Sequence, residues 1–197
     1  MRWPTFKAFP ALLVLAPAAF AFTPLAIELQ PESRLWLSGT STVRSFECSA
    51  TEFDAKVDAL PNAVTGVLNG DKAVTAVELR VPTSRLDCKN GTMNEHMLKA
   101  LKAKENPTIV FKLESYELAK ATDAVRVTLN GTLSLGGVDK PITLTANATQ
   151  GPSGALRIAG THELRMKDWG LKPPTLMLGT MKVDERIKIA FDLVLKG

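Results

Sequence analysis

The feature that most constrains this chain is a period of two. Val77, Leu79 and Val81 alternate with Glu78 and Arg80, and Ile109, Phe111 and Leu113 with Lys112 and Glu114. Val125, Val127 and Leu129 alternate with Arg126, Thr128 and Asn130, and Ile142 and Leu144 with Thr143 and Thr145. Leu156 and Ile158 flank Arg157, and Ile187, Ile189, Phe191, Leu193 and Leu195 are spaced by residues that include Arg186, Lys188 and Asp192. Successive side chains of a strand leave opposite faces, so each run is a ribbon with one apolar and one wet face. Further strands are predicted around Arg34–Gly39 and Val43–Phe53, and Asn69-Gly70-Asp71, Gly136-Gly137 and Gly151-Pro152-Ser153-Gly154 supply turn chemistry between ribbons.

The count is eight to nine strands. Open antiparallel sheets of that size leave two exposed edges, which closure removes and stacking protects. Closing about eight strands gives a barrel whose interior fits side chains or one small ligand. A two-sheet sandwich satisfies the same alternation, and period alone does not separate the two.

One segment breaks the rhythm. Thr92 and Glu95 have the spacing of a capping box, and Met93, Met97, Leu98, Ala100 and Leu101 follow at helical spacing, with Asn94, His96, Lys99 and Lys102 mostly on the other side. Pro107 forbids continuation. A helix of about 12 residues is therefore predicted between two strands, as a plug closing the barrel or packed on its flank. A second reading makes it a lid over an entrance, with Met93, Met97 and Leu101 as adaptable side chains.

The N-terminus reads as an address. Arg2 and Lys7 precede an apolar stretch from Ala8 to Phe20, and Ala19-Phe20-Ala21 has the small-x-small form of a cleavage site. Residues 1–21 are predicted to be a secretory signal peptide and residues 22–197 a single domain. The apolar stretch falls short of the roughly 18 residues that span a bilayer. Export places the protein in the periplasm or outside the cell, where Cys48 and Cys88 meet an oxidising environment and are expected to pair. Two free buried thiols are the alternative. A bridge across 40 positions is worth roughly 4 kcal/mol on chain-entropy grounds.

Charge and motifs exclude several function classes. The net charge is +4, without a run of five like charges, so nucleic-acid binding is not expected. With two histidines and two cysteines, no metal site is predicted. GxSxG, HExxH, P-loop and GxGxxG patterns are absent, so no catalytic residue is assigned. His162 shares the parity of Ile158 and Leu164 and is expected to be a hydrogen-bonded core histidine. Asn90-Gly91-Thr92, Asn130-Gly131-Thr132 and Asn147-Ala148-Thr149 match the glycosylation acceptor pattern, but the first two are better explained as turns or strand bends. Trp169 opens an apolar stretch to Gly179 whose Gly and Pro residues forbid a regular element. It reads either as a loop folded over the barrel end or as an entrance that meets a membrane or a partner.

The order of four segments resembles the YceI-like family of exported, lipocalin-like lipid-binding proteins. These are Trp36-Leu37-Ser38-Gly39-Thr40-Ser41-Thr42-Val43; the stretch from Val77 through Pro82-Thr83-Ser84 to Leu86; His96-Met97-Leu98 through Pro107-Thr108-Ile109-Val110-Phe111; and Gly131-Thr132-Leu133-Ser134-Leu135-Gly136-Gly137-Val138-Asp139-Lys140-Pro141-Ile142. The resemblance implies a closed antiparallel barrel of eight strands and a long apolar channel. The channel would hold an isoprenoid-type lipid such as a quinone or prenyl diphosphate, or a related amphiphile, with no other cofactor. Some members are dimers, so a homodimer is among the expected states. Arg44-Ser45-Phe46-Glu47-Cys48 is more polar than the family's usual strand there.

On that reading the expected channel liners are Val77, Leu79, Ile109, Phe111, Leu113 and Val127, followed by Leu129, Leu164, Ile187, Ile189, Phe191 and Leu193. Lys99, Lys102 or Lys172 would meet a diphosphate at the mouth. The expected function is non-enzymatic carriage of the lipid. The competing reading is an envelope structural or interaction protein with the same barrel and a filled core. A third is an enzyme or redox accessory that uses a bound quinone.

Overall fold

The alternating runs become ribbons of one barrel. The computed structural model describes residues 25–176 and 180–197, and the predicted signal peptide lies outside them. Its strands are β1 (Leu25–Leu29), β2 (Arg34–Thr40), β3 (Ser45–Ala50), β4 (Asp54–Ala59), β5 (Val74–Pro82), β6 (Leu86–Asp87), β7 (Thr108–Lys120), β8 (Val125–Leu135), β9 (Val138–Gln150), β10 (Leu156–Arg165), β11 (Thr175–Leu176), β12 (Met181–Lys182) and β13 (Arg186–Lys196). The helices are α1 (Ala63–Asn69) and α2 (Gly91–Ala100).

Hydrogen-bonded order runs β1-β4-β5-β7-β8-β9-β10-β13 and returns from β13 to β1, closing an antiparallel barrel of eight strands. Closure removes the sandwich alternative. The remaining long strands are continuations. β2 follows β1 along the same edge of β13 after a turn in which Ser33 N–H donates to Gln30 O. β3 runs on into β4, and β6 extends β5 beyond the 3-10 turn Thr83–Arg85. Traced as ribbons, the chain meanders from each strand to its neighbour, with longer excursions through α2 between β6 and β7 and through β11 and β12 between β10 and β13.

Local devices aim the side chains. In β7 a register shift between Leu113 and Ser115 switches the inward parity, from Ile109, Phe111 and Leu113 to Tyr116 and Leu118. Gly131 and Gly160 let aromatic rings lie on bare backbone. A Cβ at Gly131 would sit 2.2 Å from Lys112 O and 2.8 Å from the Phe111 ring, and one at Gly160 would sit 2.7 Å from Phe191 Cζ. These are the positions where the barrel turns tightly around its core.

Two apolar clusters fill the two ends. One gathers α1 residues Ala63 and Val67 with Val57, Tyr116, Val125 and Ala148. The other joins Leu135, Leu164, Met166, Trp169, Leu171 and Ile187. The plug of this barrel is thus α1, a helix that the alternation did not predict. The predicted helix is α2. It is ten residues long rather than about 12, and none of its residues is fully buried. Its cap also differs from expectation: Asn90, not Thr92, is the N-cap, and its Oδ1 accepts from Met93 N–H at 3.0 Å. The helix stops at Ala100, before Pro107, as Lys102 takes a left-handed conformation with φ of 52°.

Candidate functional site

The barrel interior is hollow. An inner cavity of about 190 Å³ lies toward α1, and an outer cavity of about 420 Å³ lies toward α2. Ile109, Leu133 and Ile189 line both, so the two chambers abut at one waist. Val67 of α1 closes the far end of the inner chamber.

The residues named from strand parity fall on this space. Val77, Leu79, Phe111 and Leu113 line the inner chamber, as do Val127, Leu129, Phe191 and Leu193. Ile109 and Ile189 stand at the waist, and Leu164 and Ile187 face the outer chamber. The inner wall also takes Leu35, Ala55, Val57, Tyr116 and Leu118, whose strands are interrupted or shifted in parity, and Leu144 of the unbroken β9.

The outer chamber is built differently. Met93, His96, Met97 and Ala100 of α2 and the adjoining Leu101 form one wall. Ser41, Arg44, Asn90 and Thr92 add polar groups, and Pro174, Met181 and Val183 add the hairpin formed by β11 and β12. Arg44 is exposed and has no ion-pair partner among the described residues. Sequence reasoning placed Lys99, Lys102 and Lys172 at the mouth. None of them lines a chamber, and the cationic side chain that does is Arg44. It comes from the stretch whose polarity departed from the family's usual strand. His96, assigned to the wet side of the helix, faces the outer chamber instead.

Trp169 does not line either chamber, so its expected place at the entrance is corrected. Its ring is buried and its Nε1–H donates to Leu133 O at 3.2 Å, which pins the 3-10 turn Met166–Trp169 beneath the outer chamber. Leu171 is also buried, so the Trp169–Gly179 stretch begins as an anchor, and Leu171 and Pro174 contribute to the outer chamber's wall. Residues 177–179 lie outside the described residues.

Cys48 and Cys88 are bonded as a disulfide, and both line the outer chamber. They sit one step beyond the paired residues Ser49 and Asp87, directly across the β3–β6 ladder. The bridge is tied to α2 through side chains. Cys88 N–H donates to Asn94 Oδ1 at 2.7 Å, Asn94 Nδ2 donates to Asp87 Oδ1 at 2.8 Å, and Cys88 Sγ lies 3.7 Å from Met97 Sδ. Asn94 helps hold the Asp87 carboxyl below the usual carboxylate range.

Two polar side chains reach the inner chamber. Tyr116 is engaged, its hydroxyl oxygen accepting from Val74 N–H at 2.9 Å. His162 is half-buried and makes no side-chain hydrogen bond, contrary to the bonded core histidine expected from its parity. Burial pushes its pKa down, with Glu163 acting weakly the other way. Among the described residues, no three His, Cys, Asp or Glu side chains gather where they could hold a metal ion.

The family model of the YceI-like domain matches residues 36–195. The chain belongs to the YceI-like family. Its barrel superimposes on the crystal structure of BcnA from Burkholderia cenocepacia, at a TM-score of 0.65 and 17% identity over 83% of this chain and 96% of that one. A polyisoprenoid-binding domain from Saccharophagus degradans matches at a TM-score of 0.60 and 11% identity, over 88% of this chain and 99% of that one. A Campylobacter jejuni YceI protein gives 0.57 at 18% identity, covering 76% and 84%. In sequence, a UPF0312 protein of Pseudomonas aeruginosa is 33% identical over 103 residues, 49% of this chain and 52% of that one. This YceI-like chain thus spans about half the length of the curated relatives it matches.

Proposed function

We propose that this protein is a non-enzymatic carrier for an isoprenoid-type lipid, exported and working in the space outside the inner membrane. The observation that carries the reading is the pair of adjoining chambers. A protein with a purely structural barrel would place side chains there, because unfilled space of this size forfeits packing. The inner chamber is walled by aliphatic and aromatic side chains and suits a hydrocarbon tail. The outer chamber, with Arg44, His96, Ser41 and Asn90, suits a polar head. Each buried methylene contributes about 0.8 kcal/mol, so ten supply roughly 8 kcal/mol before ordering costs.

The polyisoprenoid-binding description of the Saccharophagus neighbour supports the ligand class. The disulfide fits an oxidising compartment. Loading from a bilayer requires brief membrane contact, for which Val43, 64% exposed at the β2–β3 tip beside Arg44, is well placed. Titration of delipidated protein with a prenyl quinone, followed by ultrafiltration, tests the reading. Saturable uptake of about one molecule per chain is expected. Quinone that passes the filter in full at every protein concentration would refute carriage.

A further inference from the structure

The barrel wall is not laced equally all round. β9 and β10 pair from Gln150 and Leu156 to Ala146 and Gly160, and there their ladder stops. β9 runs on to Val138 against β8 alone, and β10 runs on to Arg165 against β13 alone. Had the register continued, residues 161–165 would face residues 145–141, but none of them pairs. Side chains do not bridge the gap either. Thr143 turns its hydroxyl to β8, donating to Asn130 Oδ1 at 2.8 Å, and no side-chain hydrogen bond or ion pair crosses from β9 to β10 beyond Gly160 among the described residues. β5 and β7 also diverge, past Glu78 and Lys112, but there Tyr116 Oη accepts from Val74 N–H at 2.9 Å and Lys72 Nζ meets Glu117 Oε1 at 2.8 Å. The β9–β10 seam opens where the sequence favours divergence. A Cβ at Gly160 would sit 2.6 Å from Thr145 O, and Pro141 has no N–H to offer a ladder.

The seam runs beside both chambers. On its β9 side Ile142 and Leu144 line the inner one, and on its β10 side Leu164 lines the outer one. Its end is stopped by the 3-10 turn Met166–Trp169, which touches both strands and is pinned by the bond from Trp169 to Leu133 O. We infer that this seam is a side entrance of the barrel, through which a long ligand passes crosswise into both chambers instead of threading lengthwise from the mouth at α2. The inference rests on the carrier reading and adds the route. Passage through a closed ladder breaks its bonds one after another. Each bond that need not break makes opening roughly 2- to 10-fold more frequent, so the unpaired stretch opens far more readily than its neighbours. The flanking pairs β8–β9 and β10–β13 are laddered over eleven and ten positions and leave no comparable breach. What holds the seam shut is side-chain packing and the turn at one end, which yield by local opening without unfolding the barrel.

The test follows release of a bound prenyl quinone from the full exported chain to phosphatidylcholine vesicles. Thr143→Cys and Glu163→Cys place two exposed thiols on either side of the seam, outside the chambers, and a bis-maleimide ties them together. Cys48 and Cys88 are bonded to each other and do not react. Relative to the same variant capped with N-ethylmaleimide, crosslinked protein should release quinone about 10-fold more slowly or slower still, with equilibrium affinity within about 2-fold. W169F, which loses the bond that pins the turn, should release it about 2- to 10-fold faster. Crosslinked protein that releases quinone as fast as the capped control would overturn the inference, and so would wild-type release from W169F; carriage itself would stand in both cases. If wild-type protein takes up no quinone, the carrier reading falls and the route with it.

Discussion

Blocking the waist should separate the two chambers functionally. Ile189 lines both, on the central part of β13, where the register to β10 and β2 is continuous. Replacing it with Trp puts an indole into the passage between them. The inner chamber's 190 Å³ is room for roughly six groups of about 30 Å³, the share of one water in the liquid. At about 0.8 kcal/mol per buried methylene, closing it removes roughly 5 kcal/mol of gross tail burial. Ordering the tail offsets part of that, so a net loss of about 3 kcal/mol, on the order of 100-fold in affinity, is expected for long tails. A short-tailed analogue that reaches only the outer chamber should lose little. The assay is competition between long- and short-tailed quinones for delipidated wild type and I189W, with I109F as a milder obstruction. Because the added bulk enters empty space, unfolding midpoints should stay near wild type. Retention of the wild-type preference for long tails in a folded I189W would refute the channel geometry.

Other consequences are equally concrete. Replacing both Cys48 and Cys88 with Ser frees a link spanning 40 residues and should cost roughly 4 kcal/mol, lowering the calorimetric Tm by about 8–16 °C; an unchanged Tm would contradict it. Gly131→Val places a Cβ 2.2 Å from Lys112 O and should destabilise by about 3 kcal/mol or more in urea unfolding; a loss below about 1 kcal/mol would show that the ladder yields. Two groups divide the pH dependence. Burial lowers the His162 pKa, so the unfolded chain takes up that proton first, and the stability it carries is present above about pH 6.5 and declines below it. Asp192 is lowered chiefly by its hydrogen bond from Arg157, so its contribution is present above the ordinary carboxylate range and is lost as pH falls through its lowered folded value. In urea titrations across pH, H162L should flatten the decline just below pH 6.5 and D192N the acid limb. The same curve in wild type and both variants would refute the assignment.

Strand parity makes much of this molecule legible from its sequence. The alternation through Val125–Leu129 and Ile187–Leu195 has one physical meaning in a half-wet sheet, and those residues face the interior. What parity could not convey is whether the interior is filled, because a packed core and a channel wall use the same side chains. The plug helix α1 escaped notice because its seven residues include Gly66 and three valine or threonine residues, and Asn62 makes no side-chain cap bond. Its formation depends on packing against the barrel end, and propensity carries little of it. Asn90 was set aside as a turn residue although it caps α2. The breaks after Leu29, Ala50 and Pro82 hide that six short strands make three long ribbons. The mouth was misassigned for a related reason. Lys99, Lys102 and Lys172 carry the charge without the position, whereas Arg44, between β2 and β3, lines the outer chamber. Local pattern leaves Trp169 either in a loop folded over the barrel end or at an entrance, and its bond to Leu133 O, 36 positions away, is invisible to such pattern.

The central claim is that the barrel carries a lipid, and the most direct measurement is what it holds when it leaves the cell. Protein purified from an expressing bacterium without detergent, extracted with organic solvent and analysed by mass spectrometry, should release a prenyl lipid at close to one molecule per chain, absent from an I189W preparation or replaced there by shorter species. A clean extract from wild-type protein that also refuses added prenyl quinone would contradict the account.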